Sequence, residues 1–243
     1  MTGLGTFINV GAILAGGLLG LLLRRGIPER FKETIFHTLG VSTMLIGGTG
    51  VAAAMLRVAE GGLLERTDML LMILSLVVGA VAGELLNIER GFERLGALAQ
   101  RKLAPKEGGA SFSAGFVNAS VLFCVGAMAV VGSLEDGLAH DPTTLAAKAI
   151  LDGVICVVFA SAYGPGVLLS ALPVLVYQGG ITLLSGLLAP IATPEAMGQM
   201  SLVGSALVMC IGFNMLGLTK MRLANWIPAT FVPLVYDAVR RLF

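Results

Sequence analysis

Apolar positions run along the chain in long blocks that short polar segments separate. Seven stretches hold no Asp, Glu, Lys or Arg, namely 1–23, 34–56, 69–83, 108–134, 153–194, 196–219 and 223–236, together 168 of 243 residues. A hydrocarbon layer about 30 Å thick is crossed by about 20 helical residues rising about 1.5 Å each. This yardstick predicts spans at Phe7 to Leu23, Thr34 to Leu56, Met69 to Leu86, Phe112 to Gly132, Met197 to Leu218 and a shorter one at Leu223 to Val239. The stretch from Thr144 to Ala189 is too long for one span, since a straight helix there would be about 70 Å long. It crosses twice or re-enters, and the expected break is Tyr163-Gly164-Pro165-Gly166, because proline lacks a backbone donor and Gly-Pro-Gly ends helices. The predicted class is all-α, a polytopic transmembrane bundle of about eight spans with seven as the alternative. It forms one integral membrane domain over 1–243.

Composition agrees with the pattern. Hydrophobic residues make up 56% of the chain and charged residues 13%, with 33 glycines and a mean hydropathy of +0.90. A soluble domain carries about 25% charged residues. The net charge of +1 gives no footing for nucleic acid. Cys124, Cys156 and Cys210 lie inside apolar blocks and are odd in number, which argues for small buried hydrophobes over a disulfide framework. Arg24 and Arg25 follow the first apolar stretch instead of preceding it, so that stretch is expected to remain as the first span.

Lysine and arginine in short loops set orientation. With the N-terminus outside, the inner loops hold Arg24, Arg25, Arg30, Lys32, Arg90, Arg94, Arg101, Lys102, Lys106, Lys220 and Arg222, against Arg57, Arg66, Arg240 and Arg241 outside. The expectation is a multi-pass membrane protein with its N-terminus outside. The connection Asn87 to Ala110 alternates charges, as in Glu89-Arg90 and Glu93-Arg94, which suits a linker or a short amphipathic helix at the surface.

Small residues recur. Ala12, Gly16 and Gly20 return as Ser75, Gly79 and Gly83, and Gly40/Gly47, Ala119/Gly126 and Ser205/Gly212 are pairs seven residues apart. Such stripes let helix backbones approach closely in lipid. They suggest hairpin repeats, with units at 1–60, 68–135 and 144–240, and they offer faces through which a homo-oligomer would form.

Polar side chains in hydrocarbon cost several kcal/mol and usually face the bundle interior or a cavity. Here Asn118 and Ser120 begin the fourth span, Glu135 and Asp136 end it, Lys148 and Asp152 sit in the fifth, Tyr177 and Gln178 in the sixth, and Asn214 in the middle of the seventh. Lys148 and Asp152 share a helix face at four-residue spacing and pair. Asp136 and Asp152, each followed by glycine, are expected to approach one another as an acidic cation or proton site. Gln178-Gly179-Gly180 is a place for a helix to unwind or kink. Glu84 snorkels to the interface. These nine residues, from Asn118 to Asn214, are the candidate substrate or ion site.

Catalysis has little support. His37 and His140 fall near opposite membrane faces, and there is no HExxH, CxxC or phosphate-binding loop. No enzyme activity, cofactor or metal is expected.

Several elements together resemble a known family. Ile13 to Gly20 followed by Arg25-Gly26-Ile27-Pro28-Glu29-Arg30, the run Asn118 to Gly126, Gly132-Ser133-Leu134-Glu135-Asp136-Gly137, Lys148-Ala149-Ile150-Leu151-Asp152-Gly153 and Tyr177-Gln178-Gly179 are similar to the DUF554 family of bacterial inner-membrane proteins. The resemblance covers essentially the whole chain and implies a polytopic membrane protein, often labelled a transport protein, without a substrate. The leading functional expectation is a transporter or channel for a small ion or solute, proton- or cation-coupled. The alternative is a non-transporting scaffold or sensor subunit that packs through its glycine faces. The partners expected are the bilayer and a small ion or solute.

Overall fold

The computed structural model describes residues 2–24, 29–58, 64–66, 68–103, 109–125 and 127–241. Arg25 to Pro28, Lys106 and Gly126, which the sequence reading used, lie outside them. Apolar runs free of charge become helices because only a helix satisfies its own backbone groups in hydrocarbon. Among the described residues the helices are α1 (Leu4–Arg24), α2 (Glu29–Met55), α3 (Met69–Leu86), α4 (Ile88–Leu103), α5 (Gly109–Cys124), α6 (Ala127–Leu138), α7 (Thr143–Tyr163), α8 (Ala171–Leu183), α9 (Ser185–Leu188), α10 (Pro194–Met215) and α11 (Val232–Arg240), of which α4 is the charged connection. Segments Pro165–Ser170 and Leu223–Phe231 are 3-10 helix. A two-stranded antiparallel ribbon, β1 (Leu56–Val58) with β2 (Leu64–Arg66), is a feature the apolar pattern does not predict.

Among the described residues, six helical segments are long and apolar enough to cross a membrane, and the bent pair α5 and α6 makes a seventh if it is one span. The pair departs from the single span expected at Phe112 to Gly132, because the halves Phe112–Cys124 and Met128–Leu138 are bent 60° apart. The last segment, Leu223–Arg240, starts as nine residues of 3-10 helix and ends as nine of α-helix. With a rise of about 2.0 Å per 3-10 residue, its contour is about 31 Å, enough for a crossing that an α-helix of the same length would barely make.

The glycine stripes seat helix against helix and reveal their directions. A methyl group at Gly16 would lie 2.2 Å from the Gly153 carbonyl oxygen, and one at Gly20 would lie 2.3 Å from that of Val157, so α1 and α7 run parallel. Gly17 meets Leu168, whereas Asn9, nearer the N-terminus, bonds Gln178, so the segment from Pro165 to Leu183 runs against α1. The chain therefore turns back after Tyr163. Gly164, with φ of +91°, makes that turn in a backbone region L side chains rarely adopt. Gly47 packs on Met209 and Gly40 on Leu216, which sets α2 antiparallel to α10. Gly79 meets Ala229 and Gly83 meets Asn225, which sets α3 antiparallel to the last segment.

The interior is filled by Phe116, Phe123, Phe159, Ile13, Leu207 and Ile211, all fully buried. The opposite faces of the helices point outward with bare apolar side chains, as on α3 with Leu70, Leu74, Val77, Val81 and Leu85. This is how a bundle meets lipid: the tails are as apolar as leucine and offer nothing to exclude. Helix α4 lies antiparallel on the start of α5, with Phe92 stacked on Phe116 and Gly96 beside Ser113.

Candidate functional site

The most polar part of the interior lies where α1, α6, α7 and α8 meet. On α7, Lys148 and Asp152 are one turn apart, and both are buried to within 6% of full enclosure. The Lys148 ammonium donates to Asp152 Oδ2 at 2.5 Å. A charge pair taken this far from water is held only if its remaining capacity is met by further hydrogen bonds. Asn9 on α1 supplies one, donating Nδ2 to the same Asp152 oxygen at 3.0 Å. The same amide also donates to Gln178 Oε1 on α8 at 3.2 Å. Asn9 and Gln178 are both fully enclosed, so one amide group ties three helices together.

One turn earlier on α1, the Gly5 amide donates to Asp136 Oδ2 at 3.0 Å. Gly5 is suited to this post because a methyl group there would sit 2.7 Å from Leu145 and 3.2 Å from the Asp136 oxygen. The two carboxylates therefore dock on one face of α1, at residues one turn apart. No hydrogen bond joins them directly. Asp136 and Asp152 share a platform, and the platform is α1, a helix absent from the expected site. Gly137 brings α6 against α8, where an added methyl would lie 2.5 Å from the Thr182 carbonyl oxygen and 2.4 Å from Ser185 Oγ.

Around this junction, five enclosed side-chain atoms make no hydrogen bond among the described residues: Thr6 Oγ1, Asn9 Oδ1, Asp136 Oδ1, Gln178 Nε2 and Thr182 Oγ1. Thr6 and Asn9 are neighbours on one face of α1, and Gln178 and Thr182 are neighbours on one face of α8. Buried polar groups are nearly always paired, so unpaired ones gathered at one place need an explanation.

The other expected site residues lie elsewhere. Asn118 donates to the Tyr163 hydroxyl at 2.8 Å. Both line a cavity of about 390 Å³ with Asn214, Glu89, Glu93 and Lys220, toward the end of the bundle where α1 and α3 finish. Asn214 is not at mid-span, since α10 ends at Met215. Its amide donates to the Met221 carbonyl and its oxygen accepts from Thr219 Oγ1 and the Met221 amide, which fastens the following turn. Ser120 bonds back to the Phe116 carbonyl within its own helix. Tyr177 packs its ring on Phe231. Glu135 is half-buried beside Asp136. Gln178-Gly179-Gly180 stays helical, because α8 is continuous from Ala171 to Leu183 and the irregular backbone sits one segment earlier.

Glu84, at the end of α3, keeps its side chain more than half exposed. It pairs with Arg222 at 2.8 Å and accepts from Asn225 Nδ2 at 2.5 Å, while the Asn225 side-chain oxygen receives the Glu89 amide. Burial pushes the Glu89 carboxyl above its ordinary range, and the Ala224 amide that it accepts partly opposes this. His140, meanwhile, bonds Thr2 near the opposite end, far along the bundle from the basic loops.

Comparison with known proteins places this arrangement. The profile described as "Protein of unknown function (DUF554)" matches residues 4–238. The chain belongs to the DUF554 family. Among curated relatives, "Uncharacterized protein YqgA" of Escherichia coli (strain K12) is 30% identical over 238 residues, covering 97% of this chain and 96% of that protein. "Uncharacterized membrane protein YdfK" of Bacillus subtilis (strain 168) is 26% identical over 239 residues, covering 98% and 97%. No solved structure matches the chain.

Proposed function

We propose that the chain is an inner-membrane transporter or channel for a small ion or solute, and that the junction of α1, α6, α7 and α8 is where the transported species is held. The observation that carries this reading is the group of five unpaired enclosed polar atoms beside a buried Lys148–Asp152 pair. A scaffold gains nothing from such a group, because each unpaired atom costs about 1–3 kcal/mol, whereas a ligand that completes their bonding turns that cost into affinity. Membrane-embedded ionisable residues commonly mark transport paths. One interrupted segment, α5 with α6, leads into the site, as broken helices do in carriers. We place the N-terminal end of α1 outside, since the basic loops gather at its other end. The relative named a membrane protein supports the membrane location.

The scaffold reading loses its main support here. The stripes it would offer to a partner are already occupied within the chain, Gly16 and Gly20 by α7, Gly40 and Gly47 by α10, Gly79 and Gly83 by the last segment. The same holds for a homo-oligomer built on those stripes.

Purified protein reconstituted in liposomes tests the proposal, with flux of protons, monovalent cations and small solutes followed in parallel. Wild type is expected to carry one of them, and Gln178→Leu is expected to lower that flux on the order of tenfold or more, about 1.4 kcal/mol of barrier. Equal flux through wild type and Gln178→Leu would contradict the site.

A further inference from the structure

We propose that the junction holds a monovalent alkali cation, bound by Thr6 Oγ1, Asn9 Oδ1, Asp136 Oδ1 and Thr182 Oγ1. The inference deepens the transport reading and rests on it for its location. Its first support is charge. Asp152 is balanced by Lys148, but Asp136 is fully buried and receives a single backbone N–H on one oxygen, leaving the other bare. An ionised Asp136 would bring the site one negative charge that no described side chain offsets, and an uncompensated buried carboxylate is among the most costly groups a fold can contain. A cation of charge one neutralises it. A divalent ion would leave the junction with the opposite excess.

The second support is the chemistry of the free atoms. Asn9 must turn its NH₂ toward the Asp152 carboxylate, which only accepts, and so its own carbonyl oxygen is the atom left over. Gln178 accepts from that same NH₂ and acts as a positioning residue for Asn9, and its own NH₂, a donor only, does not ligate a cation. What remains is four oxygens: one carboxylate, one amide carbonyl and two hydroxyls. Hard cations are bound by such oxygens. They sit on three helices held together at this level by Gly5 to Asp136, Asn9 to Gln178 and Gly137 against Thr182. Nitrogen and sulfur donors, which transition metals favour, are absent from the set.

The full-length protein in detergent, shifted from choline chloride to sodium chloride at fixed ionic strength, tests this. Lithium and potassium are run alongside. A saturable rise in melting temperature is expected, about 3–6 °C at roughly ten times Kd, together with saturable binding of radioactive sodium in equilibrium dialysis. Asp136→Asn and Thr182→Val are each expected to weaken binding at least about tenfold, while Leu187→Ala on the lipid-facing surface keeps it. Thr182→Val removes a single hydroxyl and keeps the test valid if Asp136→Asn does not fold. Absence of stabilisation and of binding by any of the three ions overturns the proposal. So does binding that both variants retain, or stabilisation that follows pH alone and marks Asp136 as simply protonated. Cation binding without any flux would leave this site standing and remove the transport reading. Solute flux without cation binding would do the reverse.

Discussion

Lys148→Met is expected to destabilise the protein by about 3–5 kcal/mol, the cost of leaving a buried carboxylate without its partner. The ammonium is enclosed, bonds Asp152 at 2.5 Å, and shares that oxygen with Asn9. Removing it strands a charge between α1, α7 and α8, where water does not reach easily and where Asn9 alone offers a neutral donor. The double variant Lys148→Met with Asp152→Leu is expected to recover most of the loss, since two apolar side chains of similar size need no desolvation. Thermal unfolding in detergent reads both. A single variant as stable as wild type would mean the pair is not enclosed as described, and a double variant less stable than Lys148→Met would mean that the bond from Asn9, more than the lysine, holds Asp152.

The next largest effect is expected at Gly16. Gly16→Ala puts a methyl 2.2 Å from the Gly153 carbonyl oxygen, well inside van der Waals contact, and the obstacle is backbone that cannot rotate aside. Helices α1 and α7 must separate, at a cost of about 1–3 kcal/mol for overpacking of this kind. The displacement also moves Asn9 away from Asp152 and Gly5 away from Asp136, so flux is expected to fall with stability. Gly11→Ala is the control on the same helix, because nothing lies within 4 Å of the added methyl. Alanine is also the better helix former by about 1 kcal/mol, so this variant is expected to match or exceed wild type in the same unfolding assay. Equal behaviour of the two variants would contradict the close seat of α1 on α7.

These two regions also show what the sequence made legible. The helical class followed from charge-free runs, because hydrocarbon leaves a chain few other choices, and the break after Tyr163 followed from the Gly164-Pro165-Gly166 signal. The bend between α5 and α6 was hidden, since the run from Phe112 to Gly132 is apolar on both sides of it and length alone fits one span. Within the site, Asp136, Lys148, Asp152 and Gln178 stood out because charge and amide groups are rare in lipid. Asn9 and Thr6 did not, because they sit in a first span that otherwise reads as a lipid-facing helix, and a lone Asn or Thr there has no local partner to mark it. The one available signal was spacing: Gly5 and Asn9 fall on the same α1 face as Ala12 and Gly16, the face that the small-residue stripe already assigns to a neighbouring helix. Asn118 and Asn214 were grouped with the others by residue type alone. They face the 390 Å³ cavity at the basic end instead, and Asn214 fastens a turn there.

The central claim is that α1, α6, α7 and α8 enclose a site made to hold something besides protein. An experimental density map of the full-length protein in lipid nanodiscs, at a resolution that shows ordered waters and ions, tests it most directly. The account predicts non-protein density within hydrogen-bonding or ion-coordination distance of Asn9 Oδ1 and Asp136 Oδ1, with Thr6 or Thr182 beside it. A dry junction, in which those same atoms pair with one another or with neighbouring backbone, would contradict it.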